Sequence, residues 1–259
     1  MNAAIFRLST FVAGFGLMFC LETLFPCRRW DVPRRVRLFF HAGLMIFNAA
    51  VLRFPAVVPL IIWLKFVESH QWGLAPMLGL GGAWNIVIGI VVLDMFDYWW
   101  HRFNHRIRLL WRFHKVHHVD THVDVTTALR FHPGELFFSA LVKSVWIIVW
   151  GPTFWAFIIF ESCVSLAAHF HHCNIDFPDR IENPLRMIFV TPRFHTAHHT
   201  VSKRTGDANF STIFIFWDKL FGSYGVPDYA EMESLGLSAG RESYLSIITT
   251  LKGPFSKMY

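Results

Sequence analysis

Long apolar stretches separated by short polar ones set the pattern of this chain, and they exceed what an amphipathic helix on a water-soluble bundle requires. Residues 4–26 run apolar into Pro26, with Glu22 the one charge between Phe11 and Phe25. A retained membrane helix is predicted there. A cleaved signal peptide fits less well, because only Arg7 precedes the run and no A-x-A-like site follows it. Leu38 to Val67 exceeds the ~20 residues that a crossing needs. Arg53, Pro55 and Pro59 interrupt it, so either one tilted, broken helix or a short hairpin is expected. Residues 73–82 are Gly-rich and read as a loop or re-entrant turn, and Ala83 to Trp100 reads as a clean crossing. Leu136 to Ala168 is apolar again, broken at Gly151-Pro152 into two short helices. After Phe170 the pattern is mixed, with polar turns around Asp207 and Asp228.

The charges give these spans a direction. Residues 28–37 (RRWDVPRRVR) hold five Arg against one Asp, a positive-inside signal that places this loop in the cytoplasm and the N-terminus across the membrane. The His-rich stretches 101–118 and 195–199 must share one face if they build one site. That requires one crossing through 38–67, one through 83–100, and a hairpin through 136–168 that enters and returns. The predicted fold is therefore all-α and polytopic, with about four to five membrane helices or hairpins under a His-rich cytoplasmic cap. It divides into an N-terminal helix and basic loop (1–35), a central region that carries the His-rich stretches (36–225) and a C-terminal tail (226–259).

Composition agrees. Of the 259 residues, 54% are hydrophobic and 16% charged, against about 25% charged in soluble domains. This excludes disorder and argues against an ordinary soluble domain. The four Cys (20, 27, 163, 173) lie far apart and form no C-x-x-C pair, which argues against a disulfide scaffold or a thiolate zinc site. There is no H-E-x-x-H, no G-x-S-x-G and no Walker A. No G-x-G-x-x-G opens a helix after a strand, so no nicotinamide or flavin domain is built in. The basic residues do not alternate with aromatics as in a nucleic-acid-binding surface. Arg102, Arg106, Arg108, Arg112 and Lys115 instead mark a face near anionic lipid.

The unusual number is 15 His, of which 13 lie between 101 and 199. His101 and His105 form H-x3-H; His114, His117 and His118 form H-x2-H-H; His195, His198 and His199 repeat it. On a helix, positions i, i+3 and i+4 share a face, so each triplet is expected to aim three imidazoles at one spot. A single zinc takes about four ligands. Eight imidazoles are too many for that and about right for two metals with open positions, with redox iron preferred over paired zinc. A basic, His-rich face for lipid headgroups would explain the charge but not the spacing. His172, at the exit of the hairpin, and His132, at its entrance, are further candidate ligands. His122, His169 and His171 rank below these, and Cys173 reads as a bystander thiol. Asp97 precedes His101 by four residues, and a carboxylate accepting the N–H of a metal-bound His would fix its tautomer. Asp94 shares that helical face, and Glu135 and Asp120 are alternatives for the same role.

The order of these boxes among apolar spans resembles the fatty acid hydroxylase superfamily, also called the sterol desaturase family. Asp97-Tyr98-Trp99-Trp100-His101-Arg102, Thr126 to Glu135 (TTALRFHPGE), Thr191-Pro192, Asn209 and Trp217 to Gly222 (WDKLFG) extend the likeness, which covers about residues 35–225. The resemblance implies a di-iron, O2-dependent membrane oxidase that hydroxylates or desaturates a lipid C–H bond. It also implies ligands His101, His105, His114, His117, His118, His195, His198 and His199, with His172 added. Some members carry a further H-x3-H near the fourth helix. Ala168 holds its first place here, so that ligand is either missing or supplied by His132 or His169. With no redox domain in these residues, a separate acidic electron carrier of ferredoxin or cytochrome b5 type is expected. The rival readings are a non-catalytic membrane protein that binds or transports metal, and an ether-lipid monooxygenase.

Overall fold

The computed structural model describes residues 2–238 and 245–255. Its order is α1 (Ala3–Leu24), α2 (Arg34–Leu52), a π-helical turn (Arg53–Val57), α3 (Val58–Ser69), α4 (Leu74–Met77), α5 (Gly82–Arg106), α6 (Arg108–His118), a 3-10 turn (Val125–Leu129), α7 (Pro133–Trp150), α8 (Phe154–His172), α9 (Asp179–Leu185) and α10 (Pro192–His198), followed by short turns. No strand forms among the described residues; two isolated bridges pair Phe189 with Phe214 and Thr200 with Leu235.

Five helical stretches are long and apolar enough to cross a membrane: 3–24, 34–77, 82–106, 133–150 and 154–172. The stretch that the sequence left open is a broken helix, not a hairpin. Helical backbone continues from Arg34 to Ser69 through the π turn, where Val58 N–H bonds the Arg53 carbonyl. Pro55 and Pro59 cannot donate into the helical ladder, and a π turn is how a helix absorbs such a lesion without stopping.

The helix ends sort into two levels. At one level, Gly73 and Gly151 take positive φ (110° and 71°) and their backbones pack directly on each other, since a Cβ on Gly151 would overlap the Trp72 carbonyl. The same junction is tied by Phe154 N–H to Glu68 (3.0 Å) and Thr153 N–H to Asn85 (3.0 Å). Here α3 and α7 end and α5 and α8 begin. Gly151 is thus the turn of the hairpin expected between 136 and 168. The opposite level gathers the ends of α5 and α8 with α6 and α10. Helix α1 runs parallel to α8: Phe6 meets Trp155, Gly14 lies so close to Leu166 that any side chain would strike it, and Cys27 N–H bonds the Asn174 carbonyl at 3.0 Å.

The interior between α3, α5, α7 and α8 is apolar, built on Leu64, Val67, Leu93, Ile147, Phe157 and Phe160. The outside of the spans is apolar too: Phe39 and Phe54 are three-quarters exposed, as expected where hydrocarbon rather than water is the solvent. Buried carboxylates join the cap to the spans. Asp94 accepts from Ile213 N–H, Phe214 N–H and the Trp217 indole (2.9–3.0 Å). Asp120 and Asp124 hold the fully buried Arg37 guanidinium at 2.7–2.9 Å. Removing one partner of such a buried pair leaves an uncompensated charge, at a cost of about 3–5 kcal/mol.

Candidate metal centre

Nine imidazoles converge at the cap level and divide into two groups. The first holds His101 and His105 from α5, His114 and His118 from α6, and His198 from α10; the second holds His117 from α6, His172 from α8, and His195 and His199 at α10 and its C-cap. Within each group the ligand nitrogens lie within 4.8 Å of one another. The groups adjoin, with the rings of His118 and His199 stacked at 4.5 Å.

The expectation that each H-x2-H-H aims at one spot is therefore corrected. His114 and His118 go to the first group and His117 to the second; His195 and His199 go to the second and His198 to the first. The cause is helical pitch. At ~100° per residue, i and i+4 differ by about 40°, while i+3 falls about 60° to the other side of i. Each box thus splits two against one.

The Nε2 atoms meet at close range. His101–His198 is 3.0 Å, His105–His118 3.1 Å and His114–His118 3.2 Å; His117–His172 is 3.1 Å, His172–His195 3.1 Å and His195–His199 3.2 Å. Hydrogen bonding cannot account for all of these. Nδ1 of His101, His117, His172 and His198 faces the carbonyls of Phe210, Arg130, Ala168 and Ala208 respectively (2.6–3.1 Å). A carbonyl only accepts, so in these four rings Nδ1 carries the proton and Nε2 presents a lone pair. His101 against His198, and His117 against His172, are then lone pair against lone pair. Protonating one ring of each pair is disfavoured. Burial, reinforced by the neighbouring imidazoles, holds His117, His118, His195 and His199 well below the usual histidine range, and burial pushes His198 down to about 3. A cation removes the conflict. Ligands at right angles on a metal with bonds of about 2.1 Å stand about 3 Å apart, as these nitrogens do.

The surroundings orient the rings. Glu135 Oε1 lies 2.7 Å from His114 Nδ1, the carboxylate–imidazole contact expected of Asp97. Asp97 does not fill that role. His101 turns its Nδ1 to the Phe210 carbonyl, and that carbonyl is held in place because Asp218 accepts Phe210 N–H (2.8 Å) and Ser211 N–H (2.9 Å). His132 is also corrected: it belongs to neither group. Its Nδ1 accepts Gly134 N–H (2.9 Å) as the N-cap of α7, and its Nε2 faces the Leu251 carbonyl at 3.3 Å. His169 likewise stays outside both groups, its ring packed against Phe11 and Phe15. Neither His132 nor His169 therefore joins a group in place of Ala168. Lys115, read as part of the basic face, is buried, which leaves Arg106, Arg108 and Arg112 exposed there.

Residues 86–223, more than half of the chain, match the sequence profile of the fatty acid hydroxylase family. The chain belongs to that family. This fatty acid hydroxylase family member is 27% identical over 225 residues to an ornithine lipid hydroxylase of Rhizobium tropici, a match spanning 85% of this chain and 64% of the relative. It is 31% identical over 142 residues to an alkylglycerol monooxygenase of Danio rerio, spanning 55% of this chain and 31% of the relative. A very-long-chain aldehyde decarbonylase of Oryza sativa is 27% identical over 235 residues, with 86% and 70% covered. The chain thus spans less than two thirds of the first two relatives. No solved structure matches this member of the family.

A cavity of about 340 Å³ opens beside both groups. His101 and His114 of the first group and His117, His172 and His195 of the second line it. It runs down between α1, α5, α7 and α8 among apolar residues such as Phe11, Trp100, Leu136 and Val164.

Proposed function

We propose that this chain is an O2-dependent membrane oxygenase that inserts oxygen into, or desaturates, a C–H bond of a lipid, with one iron ion held by each imidazole group. The observation that carries the reading is the pair of buried imidazole groups whose proton positions leave lone pairs facing each other beside a membrane-level cavity. His101, His105, His114, His118 and His198 would hold one ion, and His117, His172, His195 and His199 the other. Bound there, the metals supply O2 reduction at the expense of two external electrons and two protons, so that R–H and O2 yield R–OH and water. The residues of the chain do the rest. Neutral imidazoles offer lone pairs without a proton to displace, Glu135 and the backbone carbonyls fix ring orientation, and the cavity keeps the reacting carbon away from bulk water.

The His cap lies on the cytoplasmic side in this reading, supported by the Arg-rich loop at 28–37 and by exposed Arg106, Arg108 and Arg112 at the same level. The same positive face suits an acidic ferredoxin or cytochrome b5 type donor. A metal carrier fits less well, because its ligands would line a path across the membrane rather than close over one end of the bundle. The test is product analysis of the purified protein with iron, O2, a reductase system and a panel of membrane lipids. A hydroxylated or desaturated product that vanishes with His117→Ala supports the reading. Full turnover in that variant would sink it.

A further inference from the structure

The deep end of the cavity is charged, and the metal groups do not use that charge. Beyond the imidazoles and Glu135, the four surrounding helices contribute Arg7 (α1), Asp97 (α5), Lys143 (α7) and Glu161 (α8) to the lining. Lys143 Nζ bonds Glu161 Oε1 at 2.5 Å, and Arg7 lies 3.7 Å from Glu161 Oε2. Asp97 is different. It is only 7% exposed, and its Oδ1 is buried with no hydrogen-bond partner among the described residues. Lys143 is near enough for its charge to favour the carboxylate, but a buried carboxylate oxygen without a hydrogen bond is still expensive, and such residues inside membrane spans are by default functional.

An alkyl tail or a sterol ring would aggravate that cost by leaving Asp97 against hydrocarbon. A group that donates hydrogen bonds would relieve it. Asp97 lies one helical turn, about 6 Å, before His101. A group bound to it would therefore sit a few bonds from any carbon presented to the imidazole groups. We infer that the cavity takes the polar end of its lipid, with a hydrogen-bond-donating group, an ammonium or a hydroxyl, held on Asp97 against the Lys143–Glu161 wall. This rests on the reading of the site as a lipid oxygenase. It adds that the oxidised carbon lies near a polar substituent rather than in the middle of an unsubstituted chain.

The experiment measures binding, without turnover. The full chain in phosphatidylcholine nanodiscs is titrated with tritiated hexadecylamine, hexadecanol, hexadecanoic acid and hexadecane, each corrected for uptake by empty discs. The amine and the alcohol are expected to bind at least about tenfold more tightly than the acid and the alkane, the scale of a hydrogen bond to a buried charge. Asp97→Asn should remove the advantage of the amine. If an ammonium is the natural group, the amine leads in the unsubstituted protein and the alcohol survives Asp97→Asn; if a hydroxyl, the alcohol leads. Equal binding of all four probes, or a preference for hexadecane or the acid, overturns the inference. The ranking in the unsubstituted protein decides the matter even if Asp97→Asn fails to fold. A protein that ranks the probes as expected but oxidises no lipid would refute the oxygenase reading and leave the binding site standing.

Discussion

The H-x2-H-H of α6 and the H-x2-H-H of α10 have the same spacing and the same two-to-one split, yet their surroundings differ. In α6, His114 is backed by Glu135 and His117 by the Arg130 carbonyl. In α10, His198 is backed by the Ala208 carbonyl, but Nδ1 of His195 and of His199 is buried without a partner. Since α10 sends its two unbacked rings to the four-imidazole group, that group has the weaker support. The five-imidazole group has one more ring and a carboxylate behind it. Identical motifs therefore prepare two unequal centres, and the inequality comes from the chain around the motifs.

The strongest challenge to this comparison is to remove one ring of α10 at a time. His198→Ala and His195→Ala should each abolish turnover, by more than the ~100-fold that loss of a backing group can bring. Each should lower bound iron, read by elemental analysis, from two ions per chain to one. Loss of both ions from either variant would show that the groups are not separate sites. A finer test is Glu135→Gln, expected to weaken metal at the five-imidazole group by about 10–100-fold and leave the other unchanged. Chelator titration should then show the two ions leaving at similar concentrations, whereas in the unsubstituted protein the four-imidazole ion leaves first.

Acid probes both groups together. Once unfolded, their rings take up protons below about pH 6.5. Folded, His198 stays neutral down to about 3. The unfolded form binds more protons across that window, so metal-free protein should lose thermal stability steadily as pH falls from about 6.5. A flat melting temperature between pH 7 and 5 would show that the rings are not held neutral. The smallest effect concerns the exposed rim of α6. Arg108→Glu with Arg112→Glu should slow reduction by an acidic carrier a few-fold, more at low salt, without changing metal content.

Much of this architecture is legible in the sequence, and for physical reasons. A span of apolar residues has few alternatives to crossing a membrane, so four of the five stretches follow directly, and Gly151-Pro152 marks its turn. The fifth was ambiguous because Pro55 and Pro59 are compatible with both a break and a reversal; the π turn decides it. The eight boxed His and His172 come together at one level, and helical spacing divides each H-x2-H-H between the two groups. The second layer was less visible. Asp97 and His101 are neighbours on one helix, which favoured a local pair, but the partner of His101 comes from Phe210, more than a hundred residues away. Glu135 reaches His114 from another helix. His132 stands directly before Pro133 and Gly134, a position where a ring nitrogen can cap the helix instead of binding metal.

Because α6 and α10 each feed both imidazole groups, neither helix can tilt, slide or rotate without disturbing both groups at once. Helix α5 adds two rings to one group alone and α8 one ring to the other alone, so only α6 and α10 hold the two groups in register with each other. A bilayer that bends or thins around the protein would then reach the first group through α5 and the second through α8, each by its own span.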